Sequence, residues 1–478
     1  MKNYEVVMGL EVHVELATES KLFCSCSAKF GADANENTCP ACAGQPGMLP
    51  VVNKKAVELG IKAATVTNSE ITKTITFDKK NYFYPDLSTG YQITQWFAPI
   101  CRNGWVEVTT EAGKSIIGLK QIHIEEDAGK LVHDQRTDSS LVDYNRASVP
   151  LVEIVSMPDF RTADEIIAYL EKLRLLLTYA GISDCKMEEG SMRCDVNISV
   201  REKGVKTLGT RTEIKNMNSL KAITRAIAYE SQRHIEALDT GCEQLIQQTR
   251  GWNDAKGETF PMRSKEDATD YRYFPNPDIM PVNISDEWIA AVRSEMPESP
   301  EKRLERYIGE YGLPVKDSNL IINFKNLSDI FDSTISIYNK PKEISTWILT
   351  ELLNLTRLDG KSEEEIVINT AMFAKLIKLV DEKAVNRTIG KKILEELLKG
   401  DIDVEKYIAE NGLVMVSDDT VLEAAVQSIL DENPNSVDEY KAGNEKVMTF
   451  FTGRVMRKMS GKADPAKINE ILLKLLKN

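Results

Sequence analysis

Hydrophobic and polar residues alternate in short runs over the first 290 residues of the chain. The runs at 116–119, 149–155 and 196–200 are rich in β-branched residues and are separated by segments containing Gly, Pro and Asn. Such runs are typical of strands. We therefore predict that this part forms a large mixed sheet.

Longer segments between these runs have the helical period, with apolar residues every three or four positions. They cover residues 56–64, 162–180 and 220–238. The second segment starts at Thr162 and has Glu165 three residues later, which is the pattern of a capping box. Helices are therefore expected to interrupt the sheet.

The pattern turns helical after a polar segment with two prolines at 295–300. Ser299 can cap a helix there, and Pro300 suits the first helical position. A further unit is predicted to begin near residue 405. The later predicted helices cover residues 343–354, 370–383, 391–398, 418–430, 444–459 and 464–476.

The length and composition are those of a globular protein with several domains. The chain has 478 residues, of which 42% are hydrophobic. A single hydrophobic core rarely includes so many residues, so several domains are expected. The first residues lack the apolar stretch of a signal peptide, and no run of about 18 apolar residues occurs. Eight cysteines in a chain of this size suit a reducing compartment. We therefore expect a cytoplasmic protein without a membrane span.

The charge is unevenly distributed. The formal net charge is −13, which argues against a general coat for nucleic acid. Residues 401–440 hold eleven acidic side chains and one Lys, whereas residues 441–478 hold nine basic and three acidic ones. Separate solvated helix faces explain this pattern, but the basic end also suits a local contact with an RNA backbone.

Four cysteines form the most specific local motif, Cys24-x-Cys26 and Cys39-x-x-Cys42. Two short pairs of thiolates can close a tetrahedron around zinc. The four thiolates leave no open position for a substrate. The motif therefore predicts a structural zinc site.

Acidic residues and histidines lie in several predicted strands. Glu11 and His13 alternate in one strand, and Glu153 lies within the apolar run 149–155. His123 begins the dense segment His-Ile-Glu-Glu-Asp, which contains Glu125 and Glu126, and Asp195 lies in a further strand. A solvated surface is the simple interpretation of such a segment. Acids within apolar strands instead favour a site in which a Mg²⁺-type ion balances their charge.

Lysines beside aromatic residues at 79–86 predict a second kind of contact. This segment, together with 88–92, can bind phosphates and stack a base or ribose, although a surface turn explains it equally well. The chain contains no P-loop motif and no G-x-G-x-x-G. It also lacks the G-x-S-x-G elbow, and its four histidines leave little room for acyl hydrolysis. A nucleotide would therefore be held by another kind of site.

Long ordered motifs resemble one known family from end to end. They are Gly9-Leu-Glu-Val-His-Val-Glu-Leu16, Lys80-Asn-Tyr-Phe-Tyr-Pro-Asp86, His123-Ile-Glu-Glu-Asp-Ala-Gly-Lys130, Val149-Pro-Leu-Val-Glu-Ile-Val155, Glu188-Glu-Gly-Ser-Met-Arg-Cys-Asp-Val-Asn197, Asp270-Tyr-Arg-Tyr-Phe-Pro-Asn-Pro-Asp278 and, in the tail, Gly461-Lys-Ala-Asp-Pro465. In these motifs the chain resembles the B-subunit of the tRNA-dependent amidotransferases.

The resemblance implies an α+β protein with three domains. A large mixed-sheet domain, called the cradle, would cover residues 1–293, an all-α helical domain 297–404, and a small all-α tail that binds tRNA 405–478. The chain would join an amidase-type A-subunit and a small C-subunit in a heterotrimer. It would use ATP to phosphorylate the side-chain carboxylate of Glu or Asp mischarged on tRNA(Gln) or tRNA(Asn). Ammonia channelled from the amidase-type subunit would then displace the phosphate.

The resemblance also implies roles for individual residues. His13, Glu126 and Glu153 would bind magnesium directly, and Glu11, Glu125 and Asp195 would bind a second ion or orient the first. Strand alternation leaves the choice between Glu125 and Glu126 open. The residues expected to face the nucleotide are Lys80, Asn81, Tyr82 and Ser88. Zinc on the four cysteines would be structural, since the family occurs with and without them.

Two other functions fit parts of the sequence. Lys458-Met-Ser-Gly-Lys462 is similar to a class I synthetase signature, but it has an inserted Gly and no partner motif. A tRNA-binding scaffold without catalysis would explain the basic tail. It would leave Glu153 and Asp195 without a purpose in their apolar strands.

Overall fold

The computed structural model describes residues 3–134, 139–264, 271–415, 419–459 and 462–477. The chain comprises two compact units, Met1–Ser299 and Pro300–Asn478. The first unit is built on a mixed sheet and the second is helical, which confirms the predicted α+β class. The finer division into domains at 1–293, 297–404 and 405–478 stays a prediction. No helix of the described residues has the length and apolar character needed to cross a membrane.

The first unit contains all the strands of the described residues. In chain order they are β1 (Tyr4–Glu15), β2 (Glu70–Ile71), β3 (Thr74–Ile75), β4 (Asp78–Asn81), β5 (Tyr91–Thr94), β6 (Cys101–Thr110), β7 (Gly113–Glu126), β8 (Lys130–Asp134), β9 (Ser139–Asp143), β10 (Pro150–Ser156), β11 (Met192–Glu202), β12 (Thr212–Lys215), β13 (Gln248–Asn253), β14 (Glu258–Ser264), β15 (Phe274–Pro275) and β16 (Val282–Asn283).

Nine of these strands form one sheet in the order β14-β13-β12-β11-β1-β10-β7-β6-β2. Neighbouring strands are antiparallel except β12 and β13, which are parallel. The first strand of the chain therefore lies at the centre of the sheet. Smaller sheets join β15-β4-β5, β16-β3 and β8-β9.

Helices of the first unit pack on the large sheet. They are α1 (Lys54–Val66), α2 (Ala163–Tyr179), α3 (Leu220–Thr240) and α4 (Asp286–Ser294). α1 contacts β7, α2 contacts β6 and α3 contacts β11. Side chains alternate along β1, so Leu10, Val12 and Val14 lie buried in the core. The other face of β1 carries the polar residues Glu11 and His13.

The predicted helices of this unit are present, with ends that differ by a few residues. α2 begins after Thr162, whose hydroxyl accepts from the Glu165 N–H while the Glu165 carboxylate accepts from the Thr162 N–H. This confirms the capping box, which holds two N–H groups that a helix end leaves free. α3 ends at Gly241, whose φ of 66° suits a residue without Cβ.

The second unit consists of short helices. They are α5 (Pro300–Gly309), α6 (Val315–Ile322), α7 (Lys325–Ile337), α8 (Pro341–Thr346), a π-helical turn (Trp347–Leu352), α9 (Leu353–Leu358), a 3₁₀ turn (Glu363–Glu365), α10 (Thr370–Asp381), α11 (Arg387–Lys399), α12 (Val404–Glu410), α13 (Asp419–Glu432), α14 (Pro434–Lys441), α15 (Val447–Lys458) and α16 (Pro465–Lys477).

The last helices of this unit have their own apolar cluster. Leu422, Phe451 and Leu472 are fully buried within it, and its members come only from residues 422–476. α14 is absent from the sequence-based prediction because its eight residues contain few apolar positions. Asp270 and Gly461 of the family motifs, and Asp418 at the start of a predicted helix, lie outside the described residues.

Candidate metal and nucleotide site

Polar side chains form a row across the open face of the large sheet. His13 on β1 pairs in register with Glu153 on β10, and Glu153 pairs with His123 on β7. On the other side, Glu11 pairs with Asp195 on β11. Because paired residues of neighbouring strands point to the same face, these side chains lie next to one another. The row joins five predicted site residues from four strands: Glu11, His13, Glu125, Glu153 and Asp195.

Three residues of the row form a first ligand group. Donor atoms of His13, Glu125 and Glu153 all lie within 4.8 Å of one another. His13 Nε2 lies 3.6 Å from Glu125 Oε1, and the Thr94 hydroxyl donates to Glu125 Oε2 at 2.9 Å. One imidazole nitrogen and two carboxylates are a donor set that suits a hard divalent cation.

The electrostatics of this group also favour a cation. Burial, and next the charge of Glu153, raise the pKa of Glu125 to about 8. Burial lowers the pKa of His13. Burial acts against ionisation of Glu153 as well, but its hydrogen bond with His123 and the nearby positive charges hold its pKa below the usual range. The two neighbouring carboxylates repel each other, and a divalent ion between them would remove that repulsion.

His123 orients Glu153 from the neighbouring strand. Its Nδ1 lies 3.4 Å from Glu153 Oε2, while its buried Nε2 has no hydrogen-bond partner among the residues that the structure describes. The sequence analysis singled out the segment that contains His123 but assigned this histidine no role.

A second ligand group lies beside the first. Donor atoms of Glu11, Asp195 and Glu213 are within 4.8 Å of one another. Burial raises the pKa of Glu11, with smaller contributions from neighbouring carboxylates. Lys215 forms ion pairs with both of the other acids. Its Nζ contacts the Asp195 carboxylate and lies 2.9 Å from Glu213 Oε1. This group therefore already contains a positive charge from the protein.

Glu213 and Lys215 were missed by the sequence analysis. They lie on β12 in the run Thr212-Glu-Ile-Lys, where the apolar Ile214 lies between two charged residues. That alternation, in a strand adjacent to β11, was the signal that could have found them. The contact itself depends on how β12 pairs with β11, which sequence patterns do not reveal.

The structure does not bring Glu126 to the first ligand group. Glu126 points to the opposite side of β7 from Glu125, because side chains alternate along the strand. The Ile93 N–H donates to Glu126 Oε1 at 2.8 Å. Burial raises the pKa of Glu126 to about 7. The residue lines a separate cavity of about 240 Å³ together with Cys42 and Ser148.

A cavity of about 620 Å³ opens over the polar row. It is lined by Glu11, His13, Glu125 and Glu153, and by the basic residues Lys80, Lys120, Arg211 and Lys215. Aromatic rings complete it, among them Tyr82, Trp96, Tyr271 and Tyr273. Trp96 and Tyr273 are stacked, with ring centroids 4.3 Å apart. Cations and flat rings beside a group that could hold a metal ion are the contacts that a nucleotide requires.

The four residues expected to face a nucleotide separate into two pairs. Lys80 and Tyr82 line this cavity, and Lys80 Nζ lies 5.0 Å from the centre of the Tyr271 ring. Asn81 instead donates to the Arg272 carbonyl at 2.9 Å. The Ser88 hydroxyl donates to the Cys42 carbonyl at 2.8 Å and lines the smaller cavity beside Glu126.

The four predicted cysteine ligands converge. Their Sγ atoms are within 4.8 Å of one another, with Cys42 at 3.8 Å from Cys39 and 4.0 Å from Cys26. Four sulfurs at about 2.3 Å from a central zinc would lie about 3.8 Å apart. The arrangement therefore fits a tetrahedral metal ion. Hydrogen bonding with Cys24, the Cys39 N–H and the positive charge of Lys21 lower the pKa of the Cys42 thiol.

Gly44 allows the cysteine loop to close. Its φ is 68°, and a Cβ at this position would lie 2.5 Å from the Ser88 carbonyl oxygen. Glycine is the only residue that adopts this conformation without strain and leaves room for the neighbouring chain.

The fold and the site define a class of protein with a candidate metal and nucleotide site on the face of a large mixed sheet. Comparisons with known proteins identify the family. The family model described as the GatB/GatE catalytic domain matches residues 6–290, and that described as the GatB domain matches residues 329–476. The chain therefore belongs to the GatB/GatE family.

Curated relatives cover the whole chain. The B-subunit of the aspartyl/glutamyl-tRNA(Asn/Gln) amidotransferase of Lachnoclostridium phytofermentans is 53% identical over 476 residues, which is 100% of this chain and 99% of the relative. The proteins of the same name from Agathobacter rectalis and Lachnospira eligens are 49% and 48% identical, and each comparison covers 100% of both chains. The resemblance inferred from the sequence motifs is confirmed, and with it the assignment to a ligase family. A name that designates one subunit among others implies a complex of several subunits.

Proposed function

We propose that the chain catalyses the ATP-dependent amidation of Glu or Asp mischarged on tRNA(Gln) or tRNA(Asn). The side-chain carboxylate would attack the γ-phosphorus of ATP, releasing ADP and forming an acyl phosphate. Ammonia would then attack the acyl carbon and release phosphate. The observation that carries this proposal is the row of buried and half-buried carboxylates and imidazoles beside a cavity with cations and aromatic rings.

His13, Glu125 and Glu153 would hold Mg²⁺ in this proposal. When bound, Mg²⁺ neutralises the charge of phosphate oxygens and so helps two anions to approach. Glu125 takes the place that the sequence analysis gave to Glu126, because its carboxylate lies beside His13. Glu126 remains in the proposal as a half-buried acid of the smaller cavity. With a pKa of about 7, it can hold or release a proton near neutral pH.

The second group would orient the phosphates or bind a second ion. Glu11, Asp195 and Glu213 supply the oxygens, and Lys215 supplies a positive charge from the protein itself. Lys80, whose charge acts on Glu125 and Glu153, would contact phosphate oxygens, and Tyr82 would contact the ribose or base. The hydrogen bonds of Asn81 and Ser88 suit a supporting role, in which they hold the segments around the cavity in place.

The other parts of the proposal concern partners and location. An amidase-type A-subunit and a small C-subunit would join this chain in the cytoplasm. The amidase-type subunit would release ammonia from glutamine, because this chain lacks the sequence motifs of an acyl hydrolase. The four cysteines would hold a structural zinc ion, and the basic end of the chain would contact tRNA.

ADP release by the reconstituted complex tests the proposal. The complex is supplied with ATP and Mg²⁺, with or without Glu-tRNA(Gln), and wild type is compared with Glu125→Gln, Glu126→Gln and the exposed control Glu107→Gln. We expect ADP formation that depends on mischarged tRNA, is lost in Glu125→Gln and persists in Glu107→Gln. Because Glu126 lies outside the first ligand group, Glu126→Gln should retain ADP formation.

The same experiment tests the scaffold alternative. If Glu125→Gln releases ADP at the wild-type rate, the phosphorylation step occurs on another subunit and this chain is a tRNA scaffold. If only Glu126→Gln loses ADP release, the ion group contains Glu126 instead.

A further inference from the structure

Lys21 is a fully buried lysine just before the cysteine motif. Its side chain is 0% exposed. Nζ donates to the Tyr144 carbonyl at 3.0 Å and lies 3.5 Å from Cys42 Sγ. Within the described part of the chain, Lys21 takes part in no ion pair shorter than 4.0 Å, although its charge acts on the Glu126 carboxyl from farther away and lowers the pKa of that group.

An ammonium group buried in this way requires a nearby negative charge. Moving it from water into a protein interior costs several kcal/mol unless it is paired. A carbonyl oxygen offers a dipole but no net charge. Of the acidic groups on which Lys21 acts, Glu126 lies beyond ion-pair distance and burial raises its pKa to about 7. Cys42 Sγ is in direct contact with Nζ at 3.5 Å, and it carries a negative charge only when the thiol is ionised.

Four thiolates around a divalent ion in turn require a nearby positive charge. Such a centre carries a formal charge of about −2, because each thiolate contributes one negative charge. The loop supplies backbone donors to sulfur, such as the Cys39 N–H to Cys42 Sγ at 3.2 Å. These donors polarise the sulfur but do not remove its charge. A lysine in contact with one thiolate removes about half of the net charge.

We propose that Lys21 is the buried counter-charge of the metal centre formed by Cys24, Cys26, Cys39 and Cys42, and thereby sets how tightly the centre retains its ion. The lysine also joins the cysteine loop to the segment after β9 through the Tyr144 carbonyl. This segment holds the loop from a second side, where Asn145 Nδ2 donates to the Asp33 carbonyl at 2.6 Å. Lys21 acts through Cys42 and is a positioning residue rather than a ligand. The inference does not depend on the proposed amidation.

Zinc retention by the full-length chain tests the proposal. Wild type, Lys21→Met and the control Lys29→Met are loaded with zinc, and transfer to a coloured chelator is followed. Methionine preserves most of the length of the lysine side chain without its charge, and Lys29 is an exposed lysine in the same loop. We expect Lys21→Met to lose zinc affinity by about 10-fold to 100-fold, the range found when partners of metal ligands are removed. Lys29→Met should match wild type.

A second variant with a less negative metal centre separates the effect of the Lys21 charge from the effect of its packing. In Cys26→His, a neutral imidazole replaces one thiolate, and the centre carries a formal charge of about −1. The effect of Lys21→Met should then be several-fold smaller than in the Cys₄ centre. Cobalt loading provides a check of geometry, since its absorption bands report whether the centre stays tetrahedral.

Two results would overturn the proposal. One is zinc affinity in Lys21→Met within about twofold of wild type. The other is an equal loss in the Cys26→His background, which would mean that Lys21 contributes packing alone. If Lys21→Met does not fold, the Cys26→His protein still allows a decision. In that case the proposal requires that the double variant, Lys21→Met with Cys26→His, folds and binds zinc.

Discussion

Binding of Mg²⁺ to the first ligand group should release a proton from Glu125. Burial and the adjacent Glu153 raise the pKa of Glu125 to about 8 in the protein without metal. At pH 7 this carboxyl is therefore roughly 90% protonated, and a metal ion must displace the proton before the oxygen can bind. We expect proton release to accompany Mg²⁺ binding at pH 7 and to become small as the pH rises above the raised pKa of Glu125.

The sign of the effect follows from the raised pKa. Below pH 8 each unit of decreasing pH protonates Glu125 further and weakens apparent Mg²⁺ affinity about tenfold, or about 1.4 kcal/mol. Above pH 9 the affinity should be independent of this group. Titration calorimetry of the zinc-loaded chain, in buffers with different ionisation enthalpies, measures both the affinity and the number of protons released.

Glu125→Gln and Glu107→Gln are the informative variants for this titration. Gln cannot release a proton, so Glu125→Gln should show weaker binding without the pH-dependent step between pH 6 and 8. The exposed Glu107→Gln should behave like wild type. An affinity for Mg²⁺ in wild type that changes less than about twofold between pH 6 and 7 would contradict this account of the site.

Three further predictions concern other parts of the molecule. Glu230→Gln should lower the free energy of unfolding by about 3–5 kcal/mol in chemical denaturation, because it leaves Arg250 buried without its charge partner. Despite burial, hydrogen bonds with neighbouring side chains hold the pKa of Glu230 at about 2. The stability that Glu230 contributes should therefore be present above pH 4.5 and be lost as the pH falls towards 2. An acid unfolding curve that is the same in the variant and in wild type would contradict this. Gly44→Ala should reduce bound zinc in metal analysis, since its Cβ would meet the Ser88 carbonyl, and full zinc content would refute the close approach. Arg454→Glu should raise the KM for tRNA several-fold with little change in kcat, and an unchanged KM would remove the basic tail as a tRNA contact.

The sequence predicted the large elements because their signals are local. The capping box at Thr162 and the period of α2 both lie within a few turns of the chain. The cysteine group was predictable for the same reason, since two short pairs of thiols in one loop must approach one another to bind an ion. Helices such as α14 were missed because their short apolar pattern carries little information.

The site was only partly predictable because it depends on pairing between distant strands. Glu125 and Glu126 are adjacent in sequence, and the orientation of β7 determines which of them faces His13. Glu213 reaches Glu11 only through the pairing of β12 with β11 and of β11 with β1. Ser88 lies in a polar turn, as residues that contact nucleotides often do, but its hydroxyl donates a hydrogen bond to the Cys42 carbonyl in the cysteine loop.

The measurement that tests the central claim most directly follows one oxygen atom. Glu-tRNA(Gln) is prepared with ¹⁸O in the side-chain carboxylate and is given to the reconstituted complex with ATP, Mg²⁺ and glutamine. If the carboxylate is phosphorylated, the phosphate released with each amide carries one ¹⁸O, and Glu125→Gln forms neither product. Unlabelled phosphate accompanying amide formation would contradict the acyl-phosphate mechanism, and labelled phosphate at the wild-type rate from Glu125→Gln would place the reaction outside this site.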